Sequence, residues 1–251
     1  MKKTIKSLIT FILIFSLTVV SACSKPNEKT IESSQVELWA CPATEKILAD
    51  VSKEEYSSIS SEAKIDIFMA KGEFESGQII ISPSVDVPYY NVTISDLSLA
   101  NGDDKISVDN ITVYTEKYFE VSVNYNNNNA PMGMYPDALV PVSSVVEYEQ
   151  NSIPKDTNQG IYVTFETKLD QTAGLYTGEM TFDFKDFSQK VPVSVQVFDL
   201  AVSEEVRTKS VFRANLCWEH GELDSTQAMF DAYSNALVDY RLAPSTISGL
   251  F

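Results

Sequence analysis

The sequence predicts a mainly β fold: an antiparallel, Ig-like β-sandwich followed by the start of an α/β unit. Three observations carry this. Period-two alternation recurs in three successive runs between residues 161 and 197. Turn residues divide the chain upstream into further β-branched and aromatic segments, and after residue 206 the pattern changes to strand, helix and strand.

The chain begins with Lys2, Lys3 and Lys6, ahead of an apolar run from Leu8 to Val20. The run is too short and wrongly flanked for a membrane span, and it suits a secretory signal. It closes on Val20-Ser21-Ala22-Cys23, which resembles the lipobox of bacterial lipoproteins, in which the cysteine is acylated and becomes the new N-terminus. The expectation is a signal peptide over 1–22, a polar tether over 23–35, and an extracytoplasmic protein held on a bacterial membrane by lipid on Cys23. Each buried acyl methylene contributes about 0.8 kcal/mol, so multiple acylation holds a protein without a transmembrane helix.

Charge and rare residues narrow the partners. Removing a leader with three lysines and no acid takes the formal charge from −16 to −19. Such a chain repels phosphate backbones, which argues against nucleic acid. His220 is the single histidine, so no multi-histidine metal site is expected, and no cofactor is implied. With Cys23 acylated, Cys41 and Cys217 remain, and one disulfide or two buried thiols both fit.

The sandwich is expected over 36–205. Val36–Ala40, Ala63–Met69, Gln78–Ser82, Asn91–Leu97 and Ile111–Val123 read as strands, with Asn101-Gly102-Asp103-Asp104 as a turn. Glu73 and Glu75 would share one solvated strand face. Residues 124–141, NYNNNNAPMGMYPDALVP, read as a long loop that no packed strand accommodates. Ile161, Val163 and Phe165 then alternate, as do Met180, Phe182 and Phe184, and after them Val191, Val193, Val195 and Val197. Pro192 cannot donate to a ladder and marks an edge or a strand start. At the mouth of the second run, Gly174 serves a turn and Gly178 a bulge or close backbone approach. Tyr176 is expected to reach backbone with its hydroxyl, as a tyrosine corner does.

Glu204-Glu205 reads as a hinge. Lys209–Cys217 is then a strand, and Asp224 with Gln227 forms a capping box. Met229, Tyr233, Ala236, Leu237 and Tyr240 recur at helical spacing until Pro244, after which a second apolar segment begins. This is the opening of a βαβ unit. One and a half such units cannot close a barrel of about 250 residues, so 206–251 is expected to be the first βα unit of a truncated (β/α)8 barrel.

Three phrases carry a family resemblance: Lys71-Gly72-Glu73-Phe74-Glu75-Ser76-Gly77-Gln78, Tyr135-Pro136-Asp137-Ala138-Leu139-Val140-Pro141 and Ala173-Gly174-Leu175-Tyr176-Thr177-Gly178. Their order and approximate spacing resemble proteins of glycoside hydrolase family 123, over roughly residues 36–251. The resemblance implies an N-terminal β-sandwich followed by a (β/α)8 catalytic barrel. It also implies action on terminal N-acetylgalactosamine, with the substrate acetamido group as nucleophile and an adjacent Asp-Glu pair as acid and helper. No position of this chain matches that pair, so no catalytic residue is carried over.

The residues alone give the same negative, because the many carboxylates show no spacing that distinguishes one pair. Trp218, Glu219 and His220 are the substrate-binding candidates, since they follow the first expected barrel strand and the carboxyl ends of barrel strands meet substrate. Trp218 would stack on a sugar ring while Glu219 or His220 bonds its hydroxyls; packing at a domain interface is the competing role of Trp218. Two functions follow. The first is the non-catalytic N-terminal part of a lipid-anchored hydrolase acting on N-acetylhexosamine-containing glycans. The second is an Ig-like surface lipoprotein that binds glycan or protein without hydrolysing it.

Overall fold

The computed structural model describes residues 30–56, 62–123, 132–203, 210–215 and 227–248. Two sheets stack face to face. The first runs β1 (Val36–Cys41), β3 (Phe74–Pro83), β9 (Gln159–Glu166), β7 (Ile111–Val121) and β8 (Gly133–Pro141), all antiparallel. The second runs β2 (Ile65–Lys71), β11 (Ser188–Ala201), β10 (Gly174–Asp183), β5 (Leu97–Leu99) and β6 (Lys105–Ile106), with β4 (Asn91–Ile94) also on β10. The mainly β, antiparallel fold is as expected; within these two sheets one described pair is parallel, β2 lying along β11 from Val193↔Ile65.

Alternation accounts for the core. Val191, Val193, Val195 and Val197 of β11, with Tyr176, Met180 and Phe182 of β10, are essentially inaccessible and meet Ile79, Ile81, Ile161, Val163 and Phe165 of the first sheet. Each strand presents one apolar face because its side chains alternate, and burying two such faces drives the stacking. Pro192 fits as read: it lies one residue before the pairing with β2 begins.

Four differences from the sequence reading have physical reasons. The segment read as a loop over 124–141 contains β8, paired to β7 from Tyr114↔Pro141 to Val121↔Gly133. Its prolines are tolerated because β8 is an edge strand and needs donors on one side only. Residues 124–131 lie outside the described residues. After β8, Pro141 precedes a six-residue helix α1 (Val142–Glu147), whose Val142 and Val145 are buried, Val142 in the core. Asn91–Leu97 is two strands, β4 and β5, because the chain crosses over Gly178 between them: an added Cβ there would lie 3.0 Å from the Asp96 carbonyl oxygen. That makes Gly178 a close approach, and β10 keeps its register with β11 throughout.

The fourth difference is at the expected tether. Ile31 is buried in the core and its amide donates to Asp186 Oδ2 at 2.9 Å, while Gln189 Nε2 donates to Ser33 O. The compact unit therefore begins at Ile31. Beyond the sandwich, β12 (Phe212–Asn215), α2 (Gln227–Asp239) and β13 (Pro244–Ser248) form a βαβ unit in which the strands pair in parallel. Glu204-Glu205 and Asp224 of the expected hinge and capping box lie outside the described residues.

Candidate functional site

The β2–β3 turn positions a cleft. Gly72 sits there at φ +70°, a region that favours glycine, and an added Cβ would lie 2.6 Å from Leu169 Cδ2. Thr167 fastens the turn: its hydroxyl donates to Ala70 O at 2.7 Å and its amide to Glu73 O at 3.1 Å. The Glu73 carboxylate accepts from the Ala70 amide. Glu73 is thus a half-buried turn fastener, which separates it from exposed Glu75 and replaces the shared solvated face.

The far wall is the end of α2. Arg241 N donates to Val238 O and Leu242 N to Leu237 O, both at 2.8 Å, with Arg241 at φ +59°. This pair of bonds is a Schellman motif with arginine in the left-handed position where glycine is usual. Arg241 Nη2 donates to Gly72 O at 3.0 Å and so ties the helix end to the sandwich turn. Phe74 and Tyr240, 47% and 71% exposed, face each other with ring centroids 6.3 Å apart at 37°. Between these walls and the 166–170 segment is a cleft of about 880 Å³. Exposed Glu166, Lys168, Asp170 and Asp239 line it beside Arg241. Because α2 ends where β13 starts, the cleft lies at the amino ends of β12 and β13, which share one direction.

A second polar feature lies under residues 42–56, which cover the outer face of the first sheet. Trp39, Cys41, Ile47 and Ile80 form a small separate core there, with Tyr56 against it. Asn158 pins the cover by donating to Leu48 O and Val51 O, and Lys46 Nζ donates to Pro136 O. Beneath it Glu116 is 5% exposed, and its Oε2 has no hydrogen-bond partner among the described residues. The Gln78 side-chain amide is likewise buried and unpartnered. Burial pushes the Glu116 carboxyl up to about 7, against a lowering by Lys46. Burial, with Glu116 adding to it, raises the free thiol of Cys41 to about 12. A thiol so protonated is a poor nucleophile.

Of the residues singled out from sequence, Cys23, Trp218, Glu219 and His220 lie outside the described residues, as does Cys217. The cleft residues were not singled out as a site. Tyr240 read as part of the helical apolar stripe and Phe74 as part of a strand; only the fold brings them together. Among the described residues no group of three His, Cys, Asp or Glu could hold a metal, and no helix is long and apolar enough to cross a membrane.

No family model matches the sequence, and no curated protein matches it. Among solved structures, the chain is similar in fold to a family 123 glycoside hydrolase from Clostridium perfringens, described for its glycolipid glycan hydrolysis: TM-score 0.66 and 16% identity, over 85% of this chain. This chain spans 37% of the length of that structure. AvmM, which catalyses macrocyclization in alchivemycin A biosynthesis, matches at TM-score 0.35 and 7% identity, over 67% of this chain and 92% of its own. The CooA pilin subunit from enterotoxigenic Escherichia coli matches at TM-score 0.30 and 10% identity, over 65% and 99%. The class that the fold defines is a two-sheet β-sandwich joined to a βαβ unit.

Proposed function

We propose that this chain is the non-catalytic N-terminal part of an extracytoplasmic glycoside hydrolase that acts on N-acetylhexosamine-containing glycans, lipid-anchored through Cys23. The sandwich braces a (β/α)8 barrel whose first βα unit lies in 206–251. The observation that carries the reading is the fold likeness to the Clostridium perfringens hydrolase over 85% of this chain, a span too long for the sandwich alone. The parallel β12 and β13 joined through α2 are consistent with it, since parallel strands joined by a helix are the repeating unit of such barrels.

Two assays test the reading. The product of the longer reading frame should turn over a chromogenic N-acetylgalactosaminide, while purified residues 24–251 should not. Turnover by 24–251, or a reading frame that ends without further barrel strands, would overturn it. For the anchor, labelled palmitate should enter the wild-type protein and be absent from Cys23→Ala, which should be released from the membrane. A Cys23→Ala protein that stays labelled and membrane-bound sinks the lipoprotein part.

The second reading is a glycan-binding surface lipoprotein without hydrolytic activity. It is favoured by the Phe74–Tyr240 cleft, which is built entirely from residues of this chain.

A further inference from the structure

We propose that the cleft between the β2–β3 turn, the 166–170 segment and the end of α2 is a binding site for a neutral saccharide of one or two pyranose rings. It shares a ligand class with the glycan reading above, but does not require the chain to belong to a hydrolase.

The ring pair is the first argument. Phe74 and Tyr240 come from elements 166 positions apart, yet their rings meet at 6.3 Å while both stay largely exposed. Exposed aromatic faces on a fixed wall suit the C–H face of a pyranose, which is apolar where its edge is polar. The second argument is charge. Glu166, Asp170 and Asp239 offer acceptors and Lys168 and Arg241 donors, so the lining carries three acids against two bases. In a chain of formal charge −16 this surface disfavours phosphorylated or carboxylated ligands. Sugar hydroxyls both donate and accept, and can answer both signs of lining at once.

The third argument is preorganisation. Arg241 is held by Gly72 O and by the bonds that end the helix, and Thr167 holds the turn opposite. On the turn side, ordering costs that a ligand would otherwise meet are already met in the unliganded wall. A volume of about 880 Å³ falls in the size range of small-molecule sites and accommodates two pyranose rings with water.

The test uses the full chain carrying Cys23→Ala, with saturation-transfer NMR against N-acetylgalactosamine, N-acetylglucosamine and galactose, and glucose 6-phosphate as the anionic control. The neutral sugars should receive transfer at their ring C–H protons with millimolar Kd, and the phosphorylated sugar less. Phe74→Ala and Tyr240→Ala should each weaken binding about tenfold or more, the loss of one aromatic contact, while Tyr240→Phe should retain it. Both side chains are exposed, and circular dichroism verifies that the variants keep the sandwich. No transfer to any neutral sugar at tens of millimolar, or transfer unchanged in both alanine variants, overturns the site. The hydrolase reading fails separately: sugar bound here with no turnover by the longer reading frame refutes only that reading, and turnover with no sugar bound here refutes only this site.

Discussion

Glu116 occupies space that Gly160 leaves open on the neighbouring strand. A Cβ on Gly160 would lie 2.0 Å from Glu116 Oε2, so Gly160→Ala must displace the carboxylate. Overpacking of this kind costs about 1–3 kcal/mol. Urea denaturation should show that loss, and adding Glu116→Ala should recover part of it. The carboxyl also sets a pH dependence. Its folded value of about 7 lies above the unfolded value of about 4.5, so the native state keeps a proton that the unfolded chain releases between those values. This contribution to stability is full below about pH 4.5, falls as pH rises to about 7, and is flat beyond. Lys46 is the charged group that lowers it, and the groups coupled to it, Cys41 and Tyr118, are themselves pushed up and stay neutral there. The rise from about 4.5 to about 7 corresponds to at most roughly 3–4 kcal/mol. Glu116→Gln should therefore gain on wild type between pH 5 and pH 8 in denaturant midpoints; equal midpoints at pH 8 and an unchanged slope would refute the assignment.

Among the elements, the entry to β10 shows what a short phrase encodes. Gly174 adopts φ +149° where the chain turns into the strand, and an added Cβ would lie 2.6 Å from Leu99 Cδ1. Tyr176, fully buried, shares its hydroxyl hydrogen between Thr172 O at 2.7 Å and Asp104 Oδ2 at 3.0 Å and accepts from Gln171 Nε2. This is the expected tyrosine corner, and the bond to a carboxylate adds a long-range tie to the β5–β6 turn. Hydrogen bonds from Thr172, chiefly, hold Asp104 well below the usual carboxylate range, so its stabilisation is present above its unfolded value near 4 and is lost as pH falls further. Tyr176→Phe should cost about 1–2 kcal/mol at pH 7, since it leaves Gln171 and the Thr172 carbonyl a partner short. A midpoint shift within error in equilibrium unfolding would count against the corner. The corner was legible because a tyrosine two residues after a turn glycine is a local signal. The β8 edge strand was not, since its prolines mask a pairing that only its neighbour β7 reveals. The buried run Gln78–Ile81 was also opaque as to its faces: residues 42–56 cover the outer side, so alternation in burial disappears.

At the scale of the whole molecule, the two parts differ in what holds them. Strands β9, β10 and β11 each bury a row of apolar side chains in the core, and the amides of those stretches can exchange only when the sandwich opens. The βαβ unit was legible from spacing, because a 3.6-residue period between two short apolar runs is a local property. Its cleft was not, because Phe74 and Tyr240 lie 166 positions apart and meet only in the folded chain, where Arg241 also bonds Gly72 O. No residue of α2 is buried, and the apolar stripe that defined it remains open, with Tyr233 40% and Tyr240 71% exposed. Most helical stability comes from packing an apolar face, and a helix of thirteen residues is marginal without it. Arg241 supplies the tie at a backbone angle that costs about 1 kcal/mol for a residue with a side chain. Hydrogen exchange should therefore find α2 amides opening far faster than those of β9–β11, by a subglobal route. Arg241→Ala should speed α2 exchange further and leave the sandwich amides unchanged. Arg241→Gly separates the two contributions, since it removes the tie but relieves the backbone; if it protects α2 better than wild type, the helix end is governed by its own conformation and the tie to Gly72 is incidental.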